Sequence, residues 1–362
     1  MPKKILFLVP YPIGASPSQR FRFEHFFAQL HQGGFHVKIQ SFLDSQNWQI
    51  FFKPGRPLSK LGALLLGFAR RWVALAEAPF YDFIFIHREA APIGPPVIEW
   101  LLAKVLRRKI IYDFDDAIWL TDRQSESALL RLLKWRSKVA AICRWSYKIS
   151  CGNAYLRDFA RQFNDRAYYI PTVVDTEAWH NPARHERPAK KAGEVVIGWT
   201  GTHSTLKYLA DLVPVLQKIE THFPQVRVLV IADRRPAFDL RSLWFVPWSK
   251  ATEVKDLMAM DIGIMPLPDD EWAKGKCGFK ALQYMALGIP TVVSPVGVNT
   301  AIVDHGHDGF LADTPGAWYQ VLADLITDTA LRQHTGERSR AKIENRYSVK
   351  SSSASFLSLF ES

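Results

Sequence analysis

Three features of the amino-acid sequence predict an α/β fold with two doubly wound parallel sheets. Short runs that are apolar throughout, such as Ile5–Val9, Phe83–Ile86 and Val226–Ala232, alternate with longer amphipathic stretches. Strands that are apolar on both faces and separated by helices belong to parallel sheets covered on both sides. The alternation occurs twice, because residues 176–193 carry Pro182, Pro188 and no periodicity, as an interdomain linker does. The length of 362 residues also exceeds what one hydrophobic core ordinarily organises.

Taken in order, Ile5–Val9 reads as a buried strand, with a secretion signal the lesser alternative, since Pro10 and Pro12 end the apolar run at once. Arg20–Gln32 reads as a helix stopped by Gly33 and Gly34 before a strand at Val37–Phe42. A long helix around Leu58–Glu77, a strand to His87, a helix Pro95–Leu106 and a strand Lys109–Asp113 follow. A helix Ser127–Trp145 and strands Lys148–Cys151 and Ala167–Ile170 complete this half. Beyond the linker come a strand Glu194–Gly198, a helix Leu206–Thr221, and apolar segments Val226–Ala232, Trp244–Val246, Val254–Met260 and Ile262–Pro266. Helix Phe279–Ala286, strand Thr291–Ser294 and helix Ala317–Thr327 lead to a helical pattern that continues to the end. Ligands of such sheets bind beyond the carboxyl ends of the strands, so residues at strand ends are the candidates for function.

Composition narrows the class. Hydrophobic residues make up 48% and charged residues 22%, the balance of a folded globular chain. Three scattered cysteines suit neither a disulfide framework nor a zinc site, and a reducing, cytoplasmic setting is expected. No stretch reaches the roughly 18 apolar residues of a bilayer-spanning helix. Charge is unevenly shared: residues 1–190 hold 28 Lys/Arg against 16 Asp/Glu, whereas residues 191–362 hold 18 against 19. The basic excess therefore lies in the first half, which is expected to meet an anionic partner.

The most informative segment runs from Asp261 to Pro290. The strand Ile262–Met265 ends at Pro266, and a loop with Lys276 and Gly278 opens a helix at Phe279. A helix amino terminus presents free N–H groups and a positive dipole end, so this loop suits a phosphate, with Lys276 and Lys280 adding charge. Gln283 lies one turn beyond Lys280, where its amide can bind a ribose hydroxyl. In Ile197-Gly198-Trp199-Thr200-Gly201-Thr202, glycines expected at a strand end let the backbone approach a diphosphate closely.

These residues resemble the donor-binding signature of glycosyltransferase family 4, whose members have the GT-B architecture of two Rossmann-like domains facing a central cleft. The resemblance is carried by Phe279-Lys280, Gln283-Tyr284-Met285-Ala286 and Gly288-Ile289-Pro290-Thr291-Val292, with support from Ser294–Asn299 and His305–Phe310. It implies a hexosyltransferase that moves a sugar from a nucleotide-sugar donor, with retention, and needs no metal or other cofactor. The acceptor it implies is a glycan or lipid-linked molecule of cell-surface polysaccharide or lipopolysaccharide biosynthesis. Residues 1–175 then form the acceptor-side domain, 176–193 the linker and 194–340 the donor domain. Residues 341–362 form a terminal helix expected to pack back on the first domain. Donor contacts fall to Gly198, Gly201, Thr202, Lys276, Gly278, Phe279, Lys280 and Gln283. The family pattern has two glutamates separated by seven residues, and this sequence has Gly275 and Gln283 in their places.

In the first half, Gly14 permits a close approach in the loop after the first strand, and Arg20 and Arg22 can bind an acidic acceptor. His87 stands at a strand end where the resemblance implies contact with the transferred sugar, and with Lys280 it is the catalytic candidate. The cluster Asp113-Phe114-Asp115-Asp116 invites a divalent metal, but the resemblance instead makes Asp115 and Asp116 acceptor-side groups. Lys60–Val73, Trp100–Ile110 and Leu129–Lys148 are basic and amphipathic with aromatics, so an anionic membrane surface is an expected partner. No nucleic-acid motif accompanies the charge. Two alternatives fit the same residues: a nucleotide-sugar binding protein without catalysis, and a GT-B nucleotide-sugar epimerase.

Overall fold

The computed structural model describes residues 2–51, 53, 55–120 and 133–361, and the chain divides into two compact units. The first comprises Met1–Thr172, Gly275–Cys277 and Ser352–Ser362, and the second Val173–Lys274 and Gly278–Ser351. The non-periodic stretch 176–193 thus belongs to the second unit, which begins where Val174 bridges Ser348.

The first unit contains β1 (Lys4–Val9), β2 (His36–Ser41), β3 (Phe83–His87), β4 (Lys109–Phe114), β5 (Lys148–Cys151) and β6 (Ala167–Tyr169). All pair in parallel, in the order β2-β1-β3-β4-β5-β6. Its helices are α1 (Pro17–Arg22), α2 (Phe27–Gln32), α3 (Ser45–Phe51), α4 (Pro57–Glu77), α5 (Val97–Trp100), α6 (Lys138–Trp145) and α7 (Ala154–Arg161). Alternate strand residues reach opposite faces. Leu6, Leu8, Ile84, Ile86, Ile110 and Tyr112 meet α4 through Ala74 and Leu75, α5 through Ile98, and α6 through Val139 and Ile142. The other face is aromatic: Phe7 lies 4.6 Å from Phe85 and 5.5 Å from Phe23. The terminal segment completes that layer, with Phe356 stacked on Phe26 at 4.2 Å and Lys148 Nζ donating to Ser358 O.

Two expected helices differ. Arg20–Gln32 is broken at Phe23 (φ −144°), because Gln19 through Phe23 are buried consecutively and one helical face cannot bury five successive side chains. Of Ser127–Trp145, residues 127–132 lie outside the described residues, and α6 begins only at Lys138, after Trp135 takes φ 48°.

The second unit contains β7 (Val195–Gly201), β8 (Val226–Ala232), β9 (Leu243–Pro247), β10 (Ile262–Met265), β11 (Thr291–Val293) and β12 (Phe310–Leu311). These are parallel in the order β12-β11-β10-β7-β8-β9. Its helices are α8 (Leu206–Ala210), α9 (Val213–His222), α10 (Glu253–Leu257), α11 (Glu271–Lys274), α12 (Phe279–Ala286), α13 (Asn299–Ile302), α14 (Pro315–Thr327) and α15 (Thr329–Arg346). A last helix, α16 (Val349–Leu357), begins at the end of this unit. The expected helix Leu206–Thr221 is two helices, since Pro214, lacking an N–H, sits in the first turn of α9. Strand order reverses between β1 and β3 in one sheet and between β7 and β10 in the other. Such reversals open crevices at the carboxyl ends of the strands, where doubly wound sheets bind ligands.

Candidate functional site

In the first unit, the β1–β3 reversal gathers polar groups in an otherwise apolar sheet. His87 closes β3 and is fully buried, with Nδ1 2.7 Å from Asp113 Oδ2 and Nε2 3.0 Å from Ser18 Oγ. Ser18 donates to Asp115 Oδ2 at 2.6 Å. Asp113 is also bound by Arg22 Nη2 at 2.5 Å and by Ser150 Oγ at 2.6 Å, while Arg22 Nη1 donates to Ile170 O. Arg88 then bridges Asp115 (Nε to Oδ1, 2.9 Å) and Asp116 (Nη2 to Oδ2, 2.6 Å). It does so from φ 60°, a left-handed conformation that a residue with a Cβ adopts only under constraint. Lys276 Nζ completes the chain at 3.0 Å from Asp116 Oδ1.

Charge pairing holds this network ionised. Burial disfavours charge on Asp113 and Arg22, but their attraction outweighs it. Asp113 is held below the usual carboxylate range and Arg22 above the usual arginine value. The same competition, with Arg88 as the main partner, holds Asp115 well below an ordinary carboxyl. Each carboxylate of the Asp113–Asp116 cluster thus already faces a cation. Among the described residues, no group of three or more His, Cys, Asp or Glu side chains is arranged to hold a metal.

Of the acceptor-side candidates, Gly14 takes φ 75° and its N–H donates to Glu24 at 2.9 Å, while Arg20 lies over the Phe21 ring. Arg22 is not at the surface: its guanidinium is fully buried and holds Asp113, so it fixes the sheet and does not face an acceptor.

In the second unit, the β7–β10 reversal brings together part of the expected donor site. Lys280 lies in the first turn of α12, with its Nζ 5.4 Å from the Trp199 ring centroid in β7. Gly278 caps that helix at φ 66°, where a Cβ would meet Ile302 Cδ1 at 2.2 Å, and Phe279 is its first residue. Gly201 ends β7, and Thr202 caps the following turn through a reciprocal bond pair with Thr205. Gly198 is not at the strand end. β7 runs three residues past it, and its missing Cβ makes room for Met260 Cγ, which would lie 2.2 Å away. That glycine serves the packing of Met260, which precedes β10, onto the sheet. Lys276 belongs to the first unit, on Asp116.

The two departures from the family pattern have physical reasons. A Cβ on Gly275 would lie 2.6 Å from Ala117 Cβ and 2.9 Å from Ala117 N, so no glutamate fits there without movement. Gln283 is 1% exposed, with Nε2 3.3 Å from His180 Nε2, so its amide meets a buried imidazole.

Three groups at these sites were not singled out from the sequence. Ser18 and Arg88 act through partners distant in the chain, Ser18 through His87 and Asp115, 69 and 97 residues away, and Arg88 through Asp115 and Asp116, 27 and 28 residues away. His203 and Asp233, at the ends of the adjacent strands β7 and β8, pair at 2.6 Å, and the neighbouring strand ends were the available signal. Asn299 donates to Ser294 O, while its Oδ1 is buried with no hydrogen-bond partner among the described residues, 3.5 Å from where a Gly278 Cβ would be.

Residues 194–328 match the family model described as glycosyl transferases group 1. Over 101 residues the chain is 30% identical to N-acetyl-alpha-D-glucosaminyl L-malate synthase of Bacillus anthracis, a match spanning 27% of this chain and 25% of that protein. The structure resembles Anabaena HepE, solved in complex with UDP and glucose, with TM-score 0.69, 16% identity and 98% of both chains covered. It also resembles sucrose-phosphate synthase of Thermosynechococcus elongatus (TM-score 0.71, 13% identity, 99% of this chain and 98% of that one). A glycosyltransferase of Rickettsia africae aligns with TM-score 0.69 at 14% identity, over 99% and 97% of the two chains. The fold is therefore that of GT-B glycosyltransferases, with two Rossmann-like domains, and the second unit carries a glycosyltransferase domain.

Proposed function

We propose that this chain is a retaining glycosyltransferase that passes a hexosyl group from a nucleotide sugar to a glycan or lipid-linked acceptor in cell-surface polysaccharide or lipopolysaccharide biosynthesis. It works in the cytoplasm, at the inner face of the membrane. The observation that carries the reading is a convergence inside the segment matching group 1 glycosyltransferases. There, at the β7–β10 reversal, the Gly201–Thr202 turn and Lys280 come to one end of the sheet.

Lys280 and the first-turn N–H groups of α12 bind the diphosphate and stabilise its charge as the glycosidic bond breaks. A phosphate oxygen takes the acceptor proton, so no metal and no carboxylate nucleophile is required. His87, buried between Asp113 and Ser18, meets the transferred sugar only if its contact with Ser18 is exchanged, while Gly14, Arg20, Asp115 and Asp116 serve the acceptor side. Lys276 assists the diphosphate only when its ion pair with Asp116 opens. Gln283 reaches a ribose only if its contact with His180 is exchanged.

The test is calorimetric titration of UDP, GDP, ADP and CMP into the wild type and a Lys280→Ala variant. UDP is the first expectation, because the similar HepE was solved with UDP. Binding of one nucleotide that the variant loses supports the donor site. If none of the four binds, the assignment is wrong. The absence of glutamates at 275 and 283 favours one second reading, a nucleotide-sugar binder without catalysis, which would bind nucleotide yet never release it from the sugar.

A further inference from the structure

α4 packs against its unit in an unusual orientation. Its buried residues include the small ones Ala63, Gly67 and Ala74, whereas Leu58, Leu61, Leu65, Leu66, Trp72 and Val73 are each more than half exposed. The inward packing is tight, because a Cβ on Gly67 would lie 2.4 Å from the Phe42 ring. The fold thus buries a side of this helix that carries Arg71 and Leu75 among small residues, and leaves its bulky apolar side to solvent along 21 residues, about 31 Å at 1.5 Å per residue. An apolar stripe of that length, bounded by cations, marks an interaction surface and not chance exposure.

The neighbouring helices continue the pattern. α5 and α6 cover the same face of the sheet as α4. Val97, Trp100 and Val105 are exposed on and just after α5, as is Trp135 before α6. Arg56, Lys104, Arg107 and Arg144 are exposed among them. Across residues 53–77, 97–109 and 133–148 the acids are Glu77, which is paired with Lys38 at the end of α4, and Glu99, which is buried.

We propose that this outer face of α4, α5 and α6 docks on an anionic phospholipid surface. Leucines and tryptophans with a border in which cations outnumber acids, and whose partly exposed carboxylates Asp44 and Glu77 are already paired with Arg70 and Lys38, match the boundary of a bilayer, where apolar groups enter the acyl region and basic groups meet lipid phosphates. A second copy of the chain fits less well, since a two-fold contact would set this face, with its excess of cations among the described residues, against itself. The inference deepens the membrane part of the proposed function and is independent of the donor site, which lies on other residues.

The experiment is co-sedimentation of the full chain with vesicles of phosphatidylcholine alone and of phosphatidylcholine with phosphatidylglycerol, at low and high salt. The wild type is expected on the anionic vesicles at low salt and not on the neutral ones. The pair Leu61→Glu/Leu65→Glu should lower the partition at least about tenfold, and Arg56→Glu/Lys60→Glu about fivefold or more per cation together with its salt dependence. Both variants should melt like the wild type and bind nucleotide equally, whereas Lys280→Ala should keep vesicle binding. Failure of the wild type to sediment with anionic vesicles would overturn the proposal, as would variants that bind them like the wild type. Light scattering that shows a dimer lost in Leu61→Glu/Leu65→Glu would assign the face to a second copy instead.

Discussion

Replacing Asp113 by asparagine removes the charge at the centre of the buried network while keeping its shape. Asp113 and Arg22 are both fully buried, joined at 2.5 Å, and His87 leans on the other oxygen of the same carboxylate. The variant leaves the Arg22 guanidinium charged in the interior with only neutral acceptors, the asparagine oxygen, Ile170 O and Ser150 Oγ. Breaking a buried pair by removing one partner costs about 3–5 kcal/mol, which for a domain of this size lowers the melting temperature by roughly 6–20 °C.

The pH dependence follows from the direction of the shift. The folded Asp113 is held below its unfolded value, so its contribution is complete above the unfolded pKa, about 3.9, and is lost as pH falls through the folded one. Urea unfolding followed by circular dichroism at neutral pH and again in acid checks both parts. The gap between wild type and variant should be widest at neutral pH and narrow on acidification. In the double variant Asp113→Asn/Arg22→Met, the loss should be smaller than the sum of the two single losses. A single-variant loss under about 1 kcal/mol, or strict additivity, would refute the claim that the pair is a coupled ionised unit.

Further predictions concern the donor domain and the thiols. Lys280→Ala should weaken nucleotide binding by about 10–150-fold, the loss of one charge-assisted hydrogen bond, with little change in melting temperature. Gly275→Glu, which restores the family residue, should destabilise by about 1–3 kcal/mol and not raise activity, because its Cβ meets Ala117 at 2.6 Å; melting and turnover measured together decide this. Cys143, Cys151 and Cys277 are buried, and burial raises all three thiols, Cys143 to about 12. A thiol reagent at neutral pH should therefore label none of them in the native chain and all three in denaturant.

How legible the molecule was depends on the range of the interaction concerned. β3, β5, β8 and α12 occur at the bounds expected from the sequence, because a continuous apolar run or a turn-bounded amphipathic one is a local signal. β12, two residues long, is too short to leave a pattern, and α7 was passed over although Asn153 caps it. The candidate site was legible where it rests on chain order. Lys280 at the start of α12 follows from strand, loop and helix in sequence. Gly198 was misplaced because a strand end is the least certain feature of a local pattern, and β7 continues for three more residues.

By itself, the sequence determined the two parallel sheets, because apolar periodicity records burial along the chain. Only the tertiary structure decided which polar residues are committed to one another. Arg22 and Asp113 stand 91 residues apart, and no local pattern distinguishes an arginine that binds an acceptor from one that holds a buried carboxylate. It also decided which side of α4 faces the sheet. Both sides of that helix are largely apolar, so periodicity alone does not choose between them, and the close packing of Gly67 on Phe42 does.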